Sequence, residues 1–216
     1  MHRRRRTALT VSAALLGAAP LLTACGSEGH PGTAAMVGGE RIAVSSLQAQ
    51  VKDVREAQNG SPQAEQLIQS TGRLPQAKLN SMILDRILER AAADAGVEVS
   101  PKDLQTARKD AEQQAGGAEP LQQLMLQQRG VAPDQIDQAL REDVLVNKLA
   151  AALGADLGTP DGQAKIVQSL AGTSKVLGVE VNPRYGAWDD QKIQLTGSKT
   201  PWITQVTKQD QEPLSG

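Results

Sequence analysis

AAMVGGERIAVSSL, residues Ala34–Leu47, sets two glycines between two short apolar runs. Adjacent glycines adopt the positive φ angles that a two-residue turn requires, so the stretch predicts a β-hairpin of Ala35–Val37 with Arg41–Ala43. A lone hairpin is marginal in water and needs a partner. Immediately after it the pattern changes period. Leu47, Val51 and Val54 recur at helical spacing, with Ser45 placed to cap the helix and Gln48 placed to complete a capping box.

Helices then follow one another. A short one is expected from Ser61-Pro62 through Gln69. The strongest runs from Pro75 to Ala95, with Leu79, Met82, Ile83, Ile87 and Ala91 on one stripe and Gly96 at its end. It should measure about 32 Å, and its second half is apolar over an arc wide enough to touch neighbours on more than one side. Ser100-Pro101-Lys102-Asp103 opens the next helix with a capping serine, a proline at the first helical position and an acid in the first turn. Gly116-Gly117 ends it. Leu121–Arg129 forms a short helix, and Pro133 opens a longer one to Leu153 with Ile136, Leu140, Val144 and Leu149 inward. Thr159-Pro160 opens the last, ending at Gly172. Val176–Val181 (VLGVEV) is rich in β-branched residues and reads as a strand stopped by Asn182-Pro183. Residues 191–216 show no periodicity and are expected to lack fixed structure.

Of the 216 residues 39% are hydrophobic, 22% charged and 1% aromatic, with no Phe. The core must therefore be aliphatic and alanine-rich, which favours close-packed helices. The aromatics are Tyr185, Trp188 and Trp202. Trp188 is expected to be buried as a cap over the edge of a small sheet.

Residues 1–24 combine a basic start (Arg3–Arg6), an apolar run (Ala8–Leu22, interrupted by Pro20) and a small-residue end. That is the organisation of an export signal, and it is too short for a comfortable membrane span. Leu22-Thr23-Ala24-Cys25 resembles a bacterial lipobox, which implies cleavage before Cys25 and acylation of its thiol with diacylglycerol, palmitate-like chains included. Residues 25–33 then read as a polar tether. The lone cysteine fits, since an exported domain with one Cys holds no internal disulfide. Loss of residues 1–24 removes four arginines and no acid, taking the net charge from −1 to −5. This argues against nucleic acid, which calls for a basic surface with stacking aromatics.

The order VGGERIAVSSL, a long helix ending AAADAGVEVSPKDL, and GVAPDQIDQALREDVLVNKL is similar to that of the SurA N-terminal chaperone-domain family and its PrsA-like relatives. The resemblance covers residues 34–182. It implies a mainly α fold, a multi-helix SurA-like peptide-binding domain with a small antiparallel sheet. That sheet would be made by the N-terminal hairpin and a strand returning near the C-terminus, here VLGVEV, within a domain of residues 34–190. In many relatives a parvulin isomerase domain with active-site histidines stands before the returning strand. Here only Gly154–Thr173 lies between the last long helix and the strand, and His30 is the single histidine left after residue 24.

Little else carries chemistry. His30 has no second ligand at metal-binding spacing, so no metal site and no cofactor are expected. Ser45, Ser61 and Ser100 read as helix caps, without the G-x-S-x-G turn or partner histidine of a nucleophile. Charged stretches such as RKDAEQQ read as solvated helix faces. Met82, Leu121, Leu124 and Met125 are the candidate peptide contacts, since flexible apolar side chains in an open groove accept varied segments; the other reading is that they fill the core. The function expected is a membrane-tethered, ATP-independent chaperone-like binder of unfolded exported polypeptides, on the outer face of the cell membrane and without enzymatic activity. The alternative is an envelope lipoprotein acting as an adaptor for a single partner.

Overall fold

The computed structural model describes residues 32–197, so the signal-like segment, Cys25 and His30 lie outside the described residues. β1 (Thr33–Val37) and β2 (Glu40–Ala43) form the hairpin, with Gly38 and Gly39 at φ +60° and +78°. Gly38 is constrained twice. Its positive φ suits glycine, and a Cβ there would stand 2.8 Å from Leu177 Cδ2. Strand β1 begins at Thr33, one residue inside the expected tether.

Among the described residues there are seven helices, α1 (Val44–Asn59), α2 (Ala64–Ser70), α3 (Leu74–Asp94), α4 (Pro101–Ala115), α5 (Ala118–Arg129), α6 (Ile136–Ala152) and α7 (Pro160–Leu177). A 3₁₀ turn, Pro133–Gln135, leads into α6. Two start signals act as expected. Ser100 Oγ accepts from Asp103 N–H while the Asp103 carboxylate accepts from Ser100 N–H, a reciprocal capping box. Thr159 accepts from Gly162 N–H at the head of α7. The capping box expected at Ser45 and Gln48 does not form. Strand β2 runs directly into α1, Ala43 occupies the cap position without a side-chain bond, and Val44 N–H already donates to the Gly32 carbonyl at 2.8 Å.

Near the C-terminal end two expectations are corrected. Helix α7 passes through Gly172 and stops at Gly178, whose φ of +65° ends it, so the returning strand β3 is only Val179–Val181. It pairs antiparallel with β1, Ala35 facing Val181 and Val37 facing Val179. The resulting order β2-β1-β3 puts the first strand at the centre. Asn182 locks the join, donating from its side chain to the Thr33 carbonyl (3.0 Å) and from its backbone to the Ala34 carbonyl (2.9 Å).

The second correction concerns residues 191–197, expected to lack structure. β4 (Ala187–Asp189) and β5 (Gln194–Thr196) form a further hairpin, so the described domain runs past Asp190 to Gly197. Strands of three residues are too short to reveal a period of two. Their turn is held by Asp189 Oδ1, which accepts from Gln191 and Lys192 N–H at 3.0 and 3.1 Å, and by Ile193, which is buried in the main core. Residues 198–216 lie outside the described residues.

The core has three parts. The largest joins the sheet to α3, α6 and α7 through residues such as Val37, Ile42, Leu79, Ile83, Ile87, Leu149 and Leu170. In α6 the inward residue is Leu145, with Val144 only half-buried. A second cluster joins α5 and α6, and a third holds the α1–α2 corner against Leu74 and Leu126. Trp188 is half-buried against the main cluster. Its strand packs beside β3 at the edge of the sheet, and its indole N–H donates to Ser174 Oγ at 2.8 Å, which also ties it to α7.

Candidate functional site

Helix α3 is buried on one face and open on another. Leu79, Ile83 and Ile87, each 0% exposed, point into the main core. The neighbouring row faces a groove of about 510 Å³ closed on its far side by α6, by the end of α5 and by the 3₁₀ turn. Leu74, Val131 and Ala139 give it an apolar base, and half-buried Met82 gives it a flexible apolar wall.

Its polar groups are unusual for a surface cleft. Lys78 is only 8% exposed. Its ammonium donates to Gln135 Oε1 at 2.8 Å, and the Gln135 amide donates onward to the Gln50 carbonyl at 3.2 Å. Burial lowers the Lys78 pKa from its ordinary value, against the opposing pull of Glu142 and Asp134. Across the groove, Gln138 Nε2 donates to Asp85 Oδ1 at 2.9 Å and reaches Glu142 Oε1 at 3.5 Å, so one amide stands between two carboxyls on different helices. Burial, reinforced by Glu89, pushes Asp85 up to about 6. Burial, reinforced by Asp85, pushes Glu142 up to about 7.

The rim is fixed by ion pairs. Arg86 pairs with Glu40 of the hairpin, Arg141 approaches Glu89 at 3.6 Å, and Arg129 grips Asp143 with two bonds of 2.6 and 3.1 Å. A second recess of about 740 Å³ lies where the β4–β5 hairpin meets α3, and it shares Ala77 and Ser81 with the groove. There Leu195 N–H donates to Asn80 Oδ1 at 2.7 Å, and the Arg184 guanidinium lies 5.2 Å from the centre of the Tyr185 ring.

The four contacts predicted from sequence do not converge. Met82 lines the groove. Leu121 and Met125, at 3% and 6% exposed, are packed in the second core cluster and correct the expectation that they meet a ligand. Leu124 is 40% exposed on α5 and lines neither recess. The groove residues that sequence reading passed over are Lys78, Asp85, Gln138 and Glu142. Their signal is an interruption: Lys78 stands beside Leu79 and Asp85 lies midway between Ile83 and Ile87, in a helix whose second half is apolar over a wide arc.

This arrangement can bind through mixed apolar and hydrogen-bonding contacts. Among the described residues no group of three His, Cys, Asp or Glu side chains is placed to hold a metal ion, and no helix is long and apolar enough to cross a membrane. The stretch Gly154–Thr173, between the last long helix and the returning strand, is a turn followed by the body of α7.

No curated protein and no solved structure matches the chain. A family match does exist, to the SurA-like N-terminal domain, and it spans residues 4–150, well over half of the 216 residues. It takes in β1, β2 and the helices through nearly all of α6, while α7 and the strand that completes the sheet lie beyond it. No parvulin isomerase domain is matched. Family and fold together indicate chaperone-like peptide binding in a general sense. The helical domain, the hairpin and the long α3 are therefore those of a protein that belongs to the SurA-like N-terminal domain family.

Proposed function

We propose that this protein is a membrane-tethered, ATP-independent chaperone-like binder of unfolded or extended exported polypeptides, and that its client site is the groove along α3. The observation that carries the reading is the groove's composition. Met82 and the apolar base can bury side chains, while the Gln138 amide and the Asp85 and Glu142 carboxyls can bond a client's unpaired backbone groups. Binding by reversible burial needs no chemical step.

The tether supports the same reading. Acylation at Cys25 would leave eight residues before β1, a reach of at most about 28 Å, so the groove would stay close to the membrane where clients emerge. Incorporation of labelled palmitate, abolished by Cys25→Ala together with release of the protein from membranes, is the expected result. Retention of the label in that variant would remove the tether from the proposal.

The function itself is tested by light scattering with a denatured exported protein. Suppression of aggregation at stoichiometric amounts is expected, and its absence would count against the chaperone reading. One observation favours a second reading, an adaptor for a single partner: the buried Lys78 and the paired carboxyls give the groove a fixed charge pattern, which favours a matched partner over a general one. Crosslinking in intact cells separates them, since a chaperone yields many partners and an adaptor one.

A further inference from the structure

We propose that the α3 groove selects its client segment by charge spacing: an acidic side chain of an extended stretch meets Lys78, and a basic one three residues away meets Asp85 and Glu142. The inference rests on the reading of that groove as the client site, and it names the chemistry of the segment taken up.

The first support is which groove charges are already paired. Arg86 is held by Glu40, Glu89 by Arg141 and Arg129 by Asp143, and Asp134 stands exposed at the 3₁₀ turn. That leaves Lys78, Asp85 and Glu142, which among the described residues are bonded to glutamine amides alone. An ammonium has three donors and a carboxylate about four acceptor sites, so one neutral amide leaves most of each group's bonding capacity open. Lys78 is the extreme case. It is only 8% exposed, and a buried charge is costly until a counter-ion meets it. An incoming carboxylate supplies one.

The second support is spacing. Lys78 and Asp85 are seven positions apart on α3, nearly two full turns, so they share a face about 10 Å apart along the axis. Half-buried Met82 lies between them, and Glu142 joins Asp85 from α6 through the Gln138 amide. The row therefore reads cation, apolar side chain, carboxyls. A polyproline-II segment, a major conformer of unfolded chains, brings residues i and i+3 to the same side at about 9 Å. A β-strand fits less well, since its same-side residues recur at about 7 and 13 Å. An acid and a base three residues apart, in either chain direction, thus lay an opposite charge on each end of the row, while Met82 supplies apolar contact between them. Hydrogen bonds to ionised groups are stronger than neutral ones, so a matched segment should bind more tightly than an uncharged one.

The test measures fluorescence anisotropy of three labelled peptides on the full chain in detergent at pH 8, above the values of about 6 and about 7 at Asp85 and Glu142. One peptide carries Asp-Ala-Pro-Lys between neutral flanks, the second has the same composition with Asp and Lys adjacent, and the third carries Asn-Ala-Pro-Gln. A permanently unfolded, reduced and carboxymethylated protein serves as the general probe. The spaced pair is expected to bind about tenfold tighter than the other two peptides. Lys78→Met, and separately Asp85→Asn with Glu142→Gln, should each cut that advantage to about threefold or less. Equal affinity for the spaced and adjacent peptides, or a preference that survives both variants, overturns the proposal while binding of the unfolded protein keeps the client reading intact. Binding of the unfolded protein without any peptide has the same meaning. Failure of all four ligands sinks the client reading together with the inference. Binding of the spaced peptide by a protein that ignores the unfolded one upholds charge selection and turns the function toward a single matched partner. The peptide comparison is made on the unaltered chain, so it decides the matter even where a variant fails to fold.

Discussion

The two faces of α3 make the most informative contrast in the molecule. On one, Leu79, Ile83 and Ile87 meet the sheet, α6 and α7 in a dry aliphatic contact. On the other, residues one or two positions away, Lys78 and Asp85 among them, are buried or half-buried but held by long-range side-chain bonds to Gln135 and Gln138. Apolar burial contributes stability in proportion to area. Burial of charge costs stability unless fully compensated. A helix that does both within two turns divides its work, one face holding the fold and the other holding a site at the fold's expense.

The sharpest way to break this contrast is to truncate each face in turn. Ile83→Ala removes a fully buried side chain and is expected to cost about 3 kcal/mol, read as a lowered urea midpoint. Ser81→Ala, two residues away on the groove side and exposed, should change stability by less than about 0.5 kcal/mol. Similar losses from both would mean that the groove face carries the fold as well. Next in size is Ser174→Ala. Ser174 is 0% exposed, accepts from the Trp188 indole and donates to Asp190 Oδ1. Its loss strands two partners at the second hairpin, and a cost of about 2 kcal/mol is expected in the same measurement.

The groove face should also show itself in the pH dependence of stability. Asp85 and Glu142 have folded-state pKa values raised to about 6 and about 7, so between the ordinary carboxylate range and neutrality the folded protein binds more protons than the unfolded chain. Their stabilising contribution is full below that range and is lost as pH rises through 6 and 7. Thermal stability should therefore fall from pH 5 to pH 8, by on the order of 1 kcal/mol after allowance for partial exposure. Asp85→Asn with Glu142→Gln should flatten the curve. An equally steep curve in that double variant would assign the dependence to other groups. Asp103 acts in a separate window: its bonds from Lys148 and Ser100 hold its pKa below the ordinary range, so its contribution is lost only in stronger acid.

Much of the first face was legible in the sequence, and little of the second was. The stripe of α3, the Gly38-Gly39 turn and the glycine stops of α4 and α5 follow from local chemistry, and the return of a strand to β1 followed from the family resemblance. The groove depends on tertiary neighbours. Lys78 and Asp85 look like any solvated helix charge until Gln135 and Gln138 arrive from across the chain. Leu121 and Met125 failed as contacts for the converse reason, since an apolar side chain at helical spacing reads the same whether it lines a groove or fills a core. The β4–β5 hairpin was hidden because its order comes from Ile193, Asp189 and Asn80 and not from any repeat.

The two serine caps reduce that lesson to one experiment. Ser45 and Ser100 carry the same start signal, a serine with a Gln or Asp three residues on. At Ser100 the chain enters the helix from an extended loop, φ −77° and ψ 159°, and the reciprocal bonds close. At Ser45 a strand has already delivered the backbone into α1, so the first-turn donor Val44 N–H is bonded to Gly32 and the serine sits inside the helix. Ser100→Ala is therefore expected to cost roughly 0.5–1 kcal/mol, whereas Ser45→Ala should be neutral or slightly stabilising, because alanine is the better interior residue. Equal losses at the two positions would mean that α1 begins at Ser45 after all, and that the hairpin is joined to the helices by a capped loop and not by the direct strand-to-helix passage that brings β2 against α3.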